Sequence, residues 1–253
     1  MTVRRLALQM LLLAFTARAH AGDEARHVAS ALVGRVWHDD TPLADGSFQM
    51  TCIVEELDGK GAVTKSLVLE HRREFEAGRM TETLLSALEN GRDVTEKQRK
   101  AEAHPERRGS GARWSIDEAL APPLPFLARP GSYRLSLSPA GTALTYSPHP
   151  GAKGQRLARG SVTLDPSDGL PLTHRFVPEP LPSLVRRIET VVEYGRLHGI
   201  AIPNRTTTEG EGGFLFITKR FRITMRYRDV RLEPKPADAS APPLSKESLR
   251  LLP

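Results

Sequence analysis

The sequence predicts a mainly β protein, an α+β fold dominated by one large curved antiparallel sheet, and three observations carry that expectation. Alternating apolar and polar residues recur through most of the chain. Gly, Pro and Asp punctuate the alternation where tight reversals need them. The clearest alternation, Phe214 to Val230, far exceeds the about 5 to 6 residues of a common strand and so spans a large sheet.

The N-terminus reads differently. Arg4 and Arg5 precede the apolar run Leu6 to Phe15, and small residues follow at Ala17-Arg18-Ala19 and Ala19-His20-Ala21. That order is the pattern of a cleavable secretory signal peptide over residues 1–21, with the second small-residue site placing the cut before Gly22. The apolar run is about ten residues, half of the roughly 20 that a membrane-spanning helix needs. A periplasmic or otherwise exported protein, soluble after cleavage, is expected, because the lone cysteine, Cys52, lies far from the cut and offers no site for a lipid anchor there. A single cysteine forms no internal disulfide, so the core must hold the fold. Cys52 itself sits in the strand-like run Phe48 to Val54 and reads as a small core residue. Loss of Arg4, Arg5 and Arg18, with no acid, reduces the formal charge from +6 to +3, too mild a balance to mark a function.

Strands are expected at Ala31 to Trp37, Ser47 to Glu56, Ala62 to Phe75, Ser132 to Ser138, Ala143 to Ser147, Ala158 to Asp165, Leu170 to Val177, Leu184 to Tyr194, Gly199 to Thr208 and Phe214 to Val230. Between them, Leu57-Asp58-Gly59-Lys60-Gly61 and Asp165-Pro166-Ser167-Asp168-Gly169 supply Asp and Gly for antiparallel hairpins. Two segments leave the pattern. Leu84, Leu85 and Leu88 stand at helical spacing within Thr81 to Glu89, and Thr95 is placed to cap a polar helix over Val94 to Glu102. Residues 103–113 read as a charged surface excursion and Ala121-Pro122-Pro123-Leu124-Pro125 as a stiff connector. The organisation expected is a signal peptide at 1–21, one domain over 22–232 and a disordered Pro/Ala/Ser-rich tail at 233–253.

No set of residues has catalytic or metal-ligating spacing, so a non-enzymatic protein without metal or cofactor is expected. Gly109-Ser110-Gly111 lacks the strand and helix flanks of a nucleophile elbow. The eight histidines include no pair at metal-ligand spacing, and His71, His104, His149, His174 and His198 read as surface or core-edge residues. Trp37-His38-Asp39-Asp40 lacks the oxygen-ligand pattern of a calcium loop, and Asp165 and Asp168 belong to a turn rather than an acid and base pair. A cationic stripe remains. Arg220, Arg222, Arg226 and Arg228, joined by Lys219, alternate with Phe221, Ile223, Met225 and Tyr227, so the arginines share one face at about 7 Å spacing. They form a row of donors for anions, which in an exported protein means an anionic membrane surface or an acidic partner protein rather than nucleic acid. The alternative is an ordinary solvated face of an antiparallel sheet.

Three passages carry a family likeness: Glu89-Asn90-Gly91-Arg92-Asp93-Val94-Thr95 before a charged helix, Gly160-Ser161-Val162-Thr163-Leu164-Asp165 with Gly169-Leu170-Pro171, and Gly199-Ile200-Ala201-Ile202-Pro203 before the last strands. With a signal peptide and a meander of long strands, residues 28–232 resemble the periplasmic lipoprotein-sorting proteins of the LolA-like superfamily, whose architecture RseB-type sensor proteins share. The resemblance implies an incomplete barrel around one or two helices, with an apolar cavity that shelters a lipid or lipoprotein acyl chains in envelope transport. It equally admits a periplasmic sensor that docks an acidic or envelope partner through the sheet. Inward-facing candidates for acyl contact are Tyr133, Leu135 and Leu137, Val162 and Leu164, then Phe221, Ile223, Met225 and Tyr227, with packed core as the alternative role of each.

Overall fold

The computed structural model describes residues 23–32, 35–36, 44–76, 79–103, 124–152, 157–181, 183–214 and 217–234. The segment expected to be a signal peptide, the run Trp37 to Asp40, the stretch 104–123 with Gly109-Ser110-Gly111, and residues 235–253 of the expected tail lie outside the described residues.

Among the described residues eleven strands make one sheet: β1 Ala44–Leu57, β2 Val63–Glu76, β3 Arg79–Glu89, β4 Arg92–Asp93, β5 Tyr133–Leu137, β6 Ala143–Pro148, β7 Ala158–Leu164, β8 Pro171–Pro178, β9 Val185–Leu197, β10 Ile200–Phe214 and β11 Ile217–Pro234. Their order is β4-β3-β2-β1-β11-β10-β9-β8-β7-β6-β5, with every ladder antiparallel. The chain enters at the middle on β1, walks out to β4 at one edge, crosses to β5 at the other edge, and walks back until β11 pairs with β1. The edges β4 and β5 do not pair with each other, so the curved sheet is an incomplete barrel, as expected. Helix α1 covers residues 23–31. The crossover from β4 to β5 carries α2 (Thr95–Ala103) and the short α3 (Pro125–Ala128).

The predicted hairpins form for the predicted reasons. Asp58 Oδ1 accepts the N–H groups of Lys60 and Ala62 at 2.8 Å each, closing β1 onto β2. Asp165 Oδ1 accepts the N–H and hydroxyl of Ser167, and Gly169 takes a φ of 70° that a side chain disfavours. Those Ser167 hydrogen bonds hold the Asp165 carboxyl below its usual range. Arg196 then ties this turn to β9 through Asp168 at 3.1 Å and the carbonyl of Pro171 at 2.9 Å.

Four local expectations are corrected. Thr81 to Glu89 is not helical but lies in β3, because a bulge opposite Glu70 and His71 inserts Leu85 between Leu84 and Ser86. The extra residue leaves Leu84 and Ala87 on the buried face, while Leu85 and Leu88, which with Leu84 made the helical spacing, are exposed. The described residues of Ala31 to Trp37 do not form a strand. Residues 23–31 are helical, with Ala25, Ala29 and Leu32 on one buried stripe, and among the described residues of that run only Val36 makes a β-bridge, to Ala201. Phe214 to Val230 is not one strand either, since Phe214 ends β10 and pairs with Ile217 at the start of β11. Finally, Thr95 opens α2 without being its terminal acceptor. Asp93 Oδ1 accepts both its N–H at 2.8 Å and its hydroxyl at 2.6 Å.

Helix α2 buries no side chain, yet it has a definite place. Thr95 Oγ1 accepts the N–H of Ala87, and Arg99 donates to the carbonyls of Leu84 and Leu85. These are edge groups of β3, which β4 pairs only at Leu88 and Glu89. The helix thus satisfies backbone groups that an open edge leaves exposed.

Candidate functional site

Cross-strand neighbours share a face of the sheet, so the register traces the inner surface residue by residue. One row runs Leu137, Leu144, Val162, His174, Val192, Thr206, Met225, Cys52, Leu69 and Ala87, from β5 to β3 across ten strands. This single face carries two large apolar clusters and a small third one, Val185 and Ile188 with Phe221 packed against them.

The first cluster occupies β5 to β9 and is filled by helices. Ala25, Ala29 and Leu32 of and beside α1, together with Leu124 and Phe126 at α3, pack against Leu144, Val162, Phe176, Val192 and Tyr194. Five of the sequence-predicted contact residues belong here: Tyr133, Val162 and Leu164 are buried, with Leu135 and Leu137 partly buried at the margin. A polar pair sits at its centre. Tyr146 on β6 reaches across β7 to His174 on β8, with Oη 2.6 Å from Nε2, because the residue between them is Gly160. A Cβ on Gly160 would lie 2.8 Å from that oxygen and 2.3 Å from the Arg175 carbonyl. His174 is fully buried and stacks on Phe176 with ring centroids 4.7 Å apart, so the surface or core-edge expectation for it is corrected. Burial pushes its pKa down to about 3 and pushes the Tyr146 and Tyr194 hydroxyls up. The missed signal is local: His174 stands two residues before buried Phe176, between Thr173 and exposed Arg175.

The second cluster occupies β1, β2, β3, β10 and β11. Phe48, Met50, Cys52, Leu69, Leu84, Ile223, Met225 and Tyr227 form it, with Phe221, Val54 and Leu67 partly buried beside them. The remaining four predicted contact residues, Phe221, Ile223, Met225 and Tyr227, are therefore together here. Val94, immediately before α2, packs against this cluster, and among the described residues no side chain within a helix belongs to it. Cys52 is buried in it as expected, and burial pushes its thiol up to about 11, which suits packing and not nucleophilic chemistry. Between the clusters, the Thr190 and Thr208 hydroxyls pair at 2.9 Å, both side chains buried.

At one end of the second cluster the inner face becomes charged. His71 pairs in register with Met50 and Leu84, and Arg73 with Phe48 and Glu82, so both basic side chains point the same way as the apolar cluster. Arg73 Nε lies 3.2 Å from Glu82, and its guanidinium carbon lies 6.0 Å from the Phe48 ring centre. His71 Nε2 lies 3.7 Å from Glu102 on α2 and 4.0 Å from Glu82. Sequence reading did not select this group, because its members are scattered over β2, β3 and α2.

The arginine stripe lies on the opposite, outer face. Arg222 binds Glu209 at 2.7 Å and Glu55 at 3.5 Å, which raises its pKa further, chiefly through the Glu209 hydrogen bond. Arg220 binds Glu211 at 3.1 Å, Arg228 binds Glu70 at 3.1 Å, and Lys219 binds Glu56 at 2.8 Å. Arg226 stands opposite Arg205 and Thr51, and among the described residues neither arginine has an ion pair. Beyond Arg228, Asp229 adopts a φ of 52° and the alternation ends in a bulge. No helix among the described residues is long and apolar enough to cross a membrane.

No protein-family model matches the chain, and no curated protein matches it. Among solved structures, the chain is similar to a DUF1329 family protein from Desulfovibrio piger, with 10% identity and a TM-score of 0.41 over 87% of this chain and 96% of that one. A putative outer membrane lipoprotein-sorting protein domain from Vibrio parahaemolyticus is similar at 10% identity and a TM-score of 0.37, over 84% and 93% of the two chains. MucB in complex with MucA(peri) follows at 13% identity and a TM-score of 0.17, over 85% and 100%.

Proposed function

We propose that this is an exported, non-enzymatic protein of the cell envelope that holds a lipid, or the acyl chains of a lipoprotein, against the inner face of β1, β2, β10 and β11. The observation that carries this reading is the division of the inner face. One half has its apolar rows completed by α1 and α3, whereas the other presents Phe221, Ile223 and Met225 with no described helix side chain among them. Ile223 and Met225 are buried and Phe221 only partly so, and an acyl chain laid against Phe221 extends the row, since each buried methylene contributes about 0.8 kcal/mol. The test is native mass spectrometry of the full chain expressed with its residues 1–21 and recovered from the periplasm. A mature mass beginning at Gly22 and a co-purified lipid are expected, and Phe221→Ala with Ile223→Ala lowers the lipid-bound fraction. Protein that is folded, lipid-free and indifferent to added acyl chains overturns the reading.

A second reading, a docking face for an acidic envelope protein or an anionic membrane surface, is favoured by Arg205 and Arg226. Like charges directly opposite in a sheet are destabilising, and Arg222, by contrast, has carboxylates at hand. Charge reversal at Arg222 and Arg226 is expected to abolish recovery of that partner or binding to anionic vesicles. Unchanged recovery and vesicle binding remove this reading.

A further inference from the structure

We infer that His71, Arg73, Glu82 and Glu102 form a headgroup site for a zwitterionic phospholipid whose cationic end is a primary ammonium. This rests on the lipid-binding reading above and adds the chemistry of the headgroup to it. The four residues adjoin Phe48, Met50 and Leu84, so an amphiphile whose chains lie along the second cluster brings its polar end to them.

Their burial is the first argument. The side chains of His71 and Arg73 are only 8% and 13% exposed, and Glu82 and Glu102 are 34% and 35% exposed. Charges taken out of water on the inner face of a sheet need compensation, and the compensation present is incomplete. His71 Nδ1 is buried and has no hydrogen-bond partner among the described residues. Its other nitrogen stands 3.7 Å and 4.0 Å from two carboxylates, beyond hydrogen-bond length.

The sign and arrangement of the charges are the second argument. A guanidinium and an imidazole lie on β2, with one carboxylate opposite on β3 and another on α2. A phosphate diester suits the guanidinium and an imidazole N–H. A primary ammonium suits the two carboxylates, to which it donates up to three hydrogen bonds, and a quaternary ammonium donates none. An anionic headgroup without an ammonium meets the same two carboxylates uncompensated. The site therefore ranks phosphatidylethanolamine first, phosphatidylcholine second and phosphatidylglycerol last.

The experiment uses the full mature chain, delipidated under native conditions, with dioleoyl forms of these three lipids and dioleoylglycerol as probes in competition native mass spectrometry. Dioleoylglycerol binding by the wild type tests the acyl reading alone. Given that binding, phosphatidylethanolamine is expected to be preferred over phosphatidylglycerol by about tenfold, and Glu82→Gln with Glu102→Gln to bring the ratio near unity. If the double variant does not fold, Glu102→Gln alone, on a helix with no buried side chain, must still lower the ratio. Dioleoylglycerol binding without headgroup preference, or a preference that survives the substitutions, overturns the headgroup site and leaves the acyl reading standing. Failure to bind any of the four probes overturns both.

Discussion

The two halves of the inner face follow the same alternation rule and reach different ends. Over β5 to β9, aliphatic and aromatic rows meet α1 and α3, and the buried side-chain pair Tyr146 with His174 is enclosed by rings. Over β1 to β3 and β10 to β11, comparable rows gain no apolar side chain from within a described helix and run into His71, Arg73, Glu82 and, from α2, Glu102. The difference teaches that an apolar strand row is only half of a core. Whether it becomes packing or a binding surface depends on what the chain brings to the facing side.

The comparison is open to direct attack. Phe176→Ala, in the helix-filled half, is expected to cost about 3–5 kcal/mol in denaturant unfolding, because its neighbours are held by both sheet and helix and cannot collapse into the space. Met225→Ala in the other half should fall near the lower end for such truncations, about 2 kcal/mol, and should be the more sensitive of the two to added lipid. Equal costs, with equal indifference to lipid, would break the distinction.

The glycines sharpen it. A Cβ at Gly160 meets the backbone carbonyl of Arg175, whereas a Cβ at Gly210 meets the far end of the Phe221 ring at 2.3 Å. A carbonyl locked in a ladder cannot yield, and a ring end can. Gly160→Ala should therefore destabilise by about 1–3 kcal/mol and Gly210→Ala by less than about 1 kcal/mol, as read from thermal unfolding. The reverse order would show that Phe221 is as firmly packed as the helix-filled core.

Acid is a third probe. The folded pKa of His174 is about 3 against an ordinary 6.5, owing to burial. Between those values the unfolded chain binds a proton that the folded chain refuses. The contribution of this residue is complete above about pH 6.5 and is lost as pH falls toward 3, at about 1.4 kcal/mol per pH unit. Unfolding curves of His174→Gln should lose that component of the acid slope relative to wild type, and an unchanged slope would contradict the buried neutral imidazole. The last probe is the seam. Thr208→Val strands the Thr190 hydroxyl and should cost about 1 kcal/mol or somewhat more, while the double change Thr190→Val with Thr208→Val recovers part of it. Additive costs would show that the two hydroxyls do not depend on each other.

Much of the fold was legible because strands and turns write short-range signals. Period two separated Phe221, Ile223, Met225 and Tyr227 from Arg220, Arg222, Arg226 and Arg228, and the register keeps them on opposite faces. Asp58 and Asp165 marked their hairpins through their own hydrogen bonds. The misreadings arose where local spacing carries a double meaning. One bulged residue, Leu85, makes a strand look helical, and a connection at residues 215–216 without Gly, Pro, Asn or Asp lets two strands read as one.

From sequence alone, then, come the β character, the facing of each side chain along its strand, and the pooling of arginines on one surface, because each follows from backbone geometry over a few residues. Only the tertiary structure decides that β11 lies beside β1, that His174 is sealed beneath Tyr146, and that five inward residues share a cluster with residues of α1 and α3 while, among the described residues, the other four do not. Those outcomes depend on the crossover from β4 to β5 and on where α1 and α3 settle. They are contacts between residues far apart in the chain, and a periodicity of two names the face of a strand without naming what covers it.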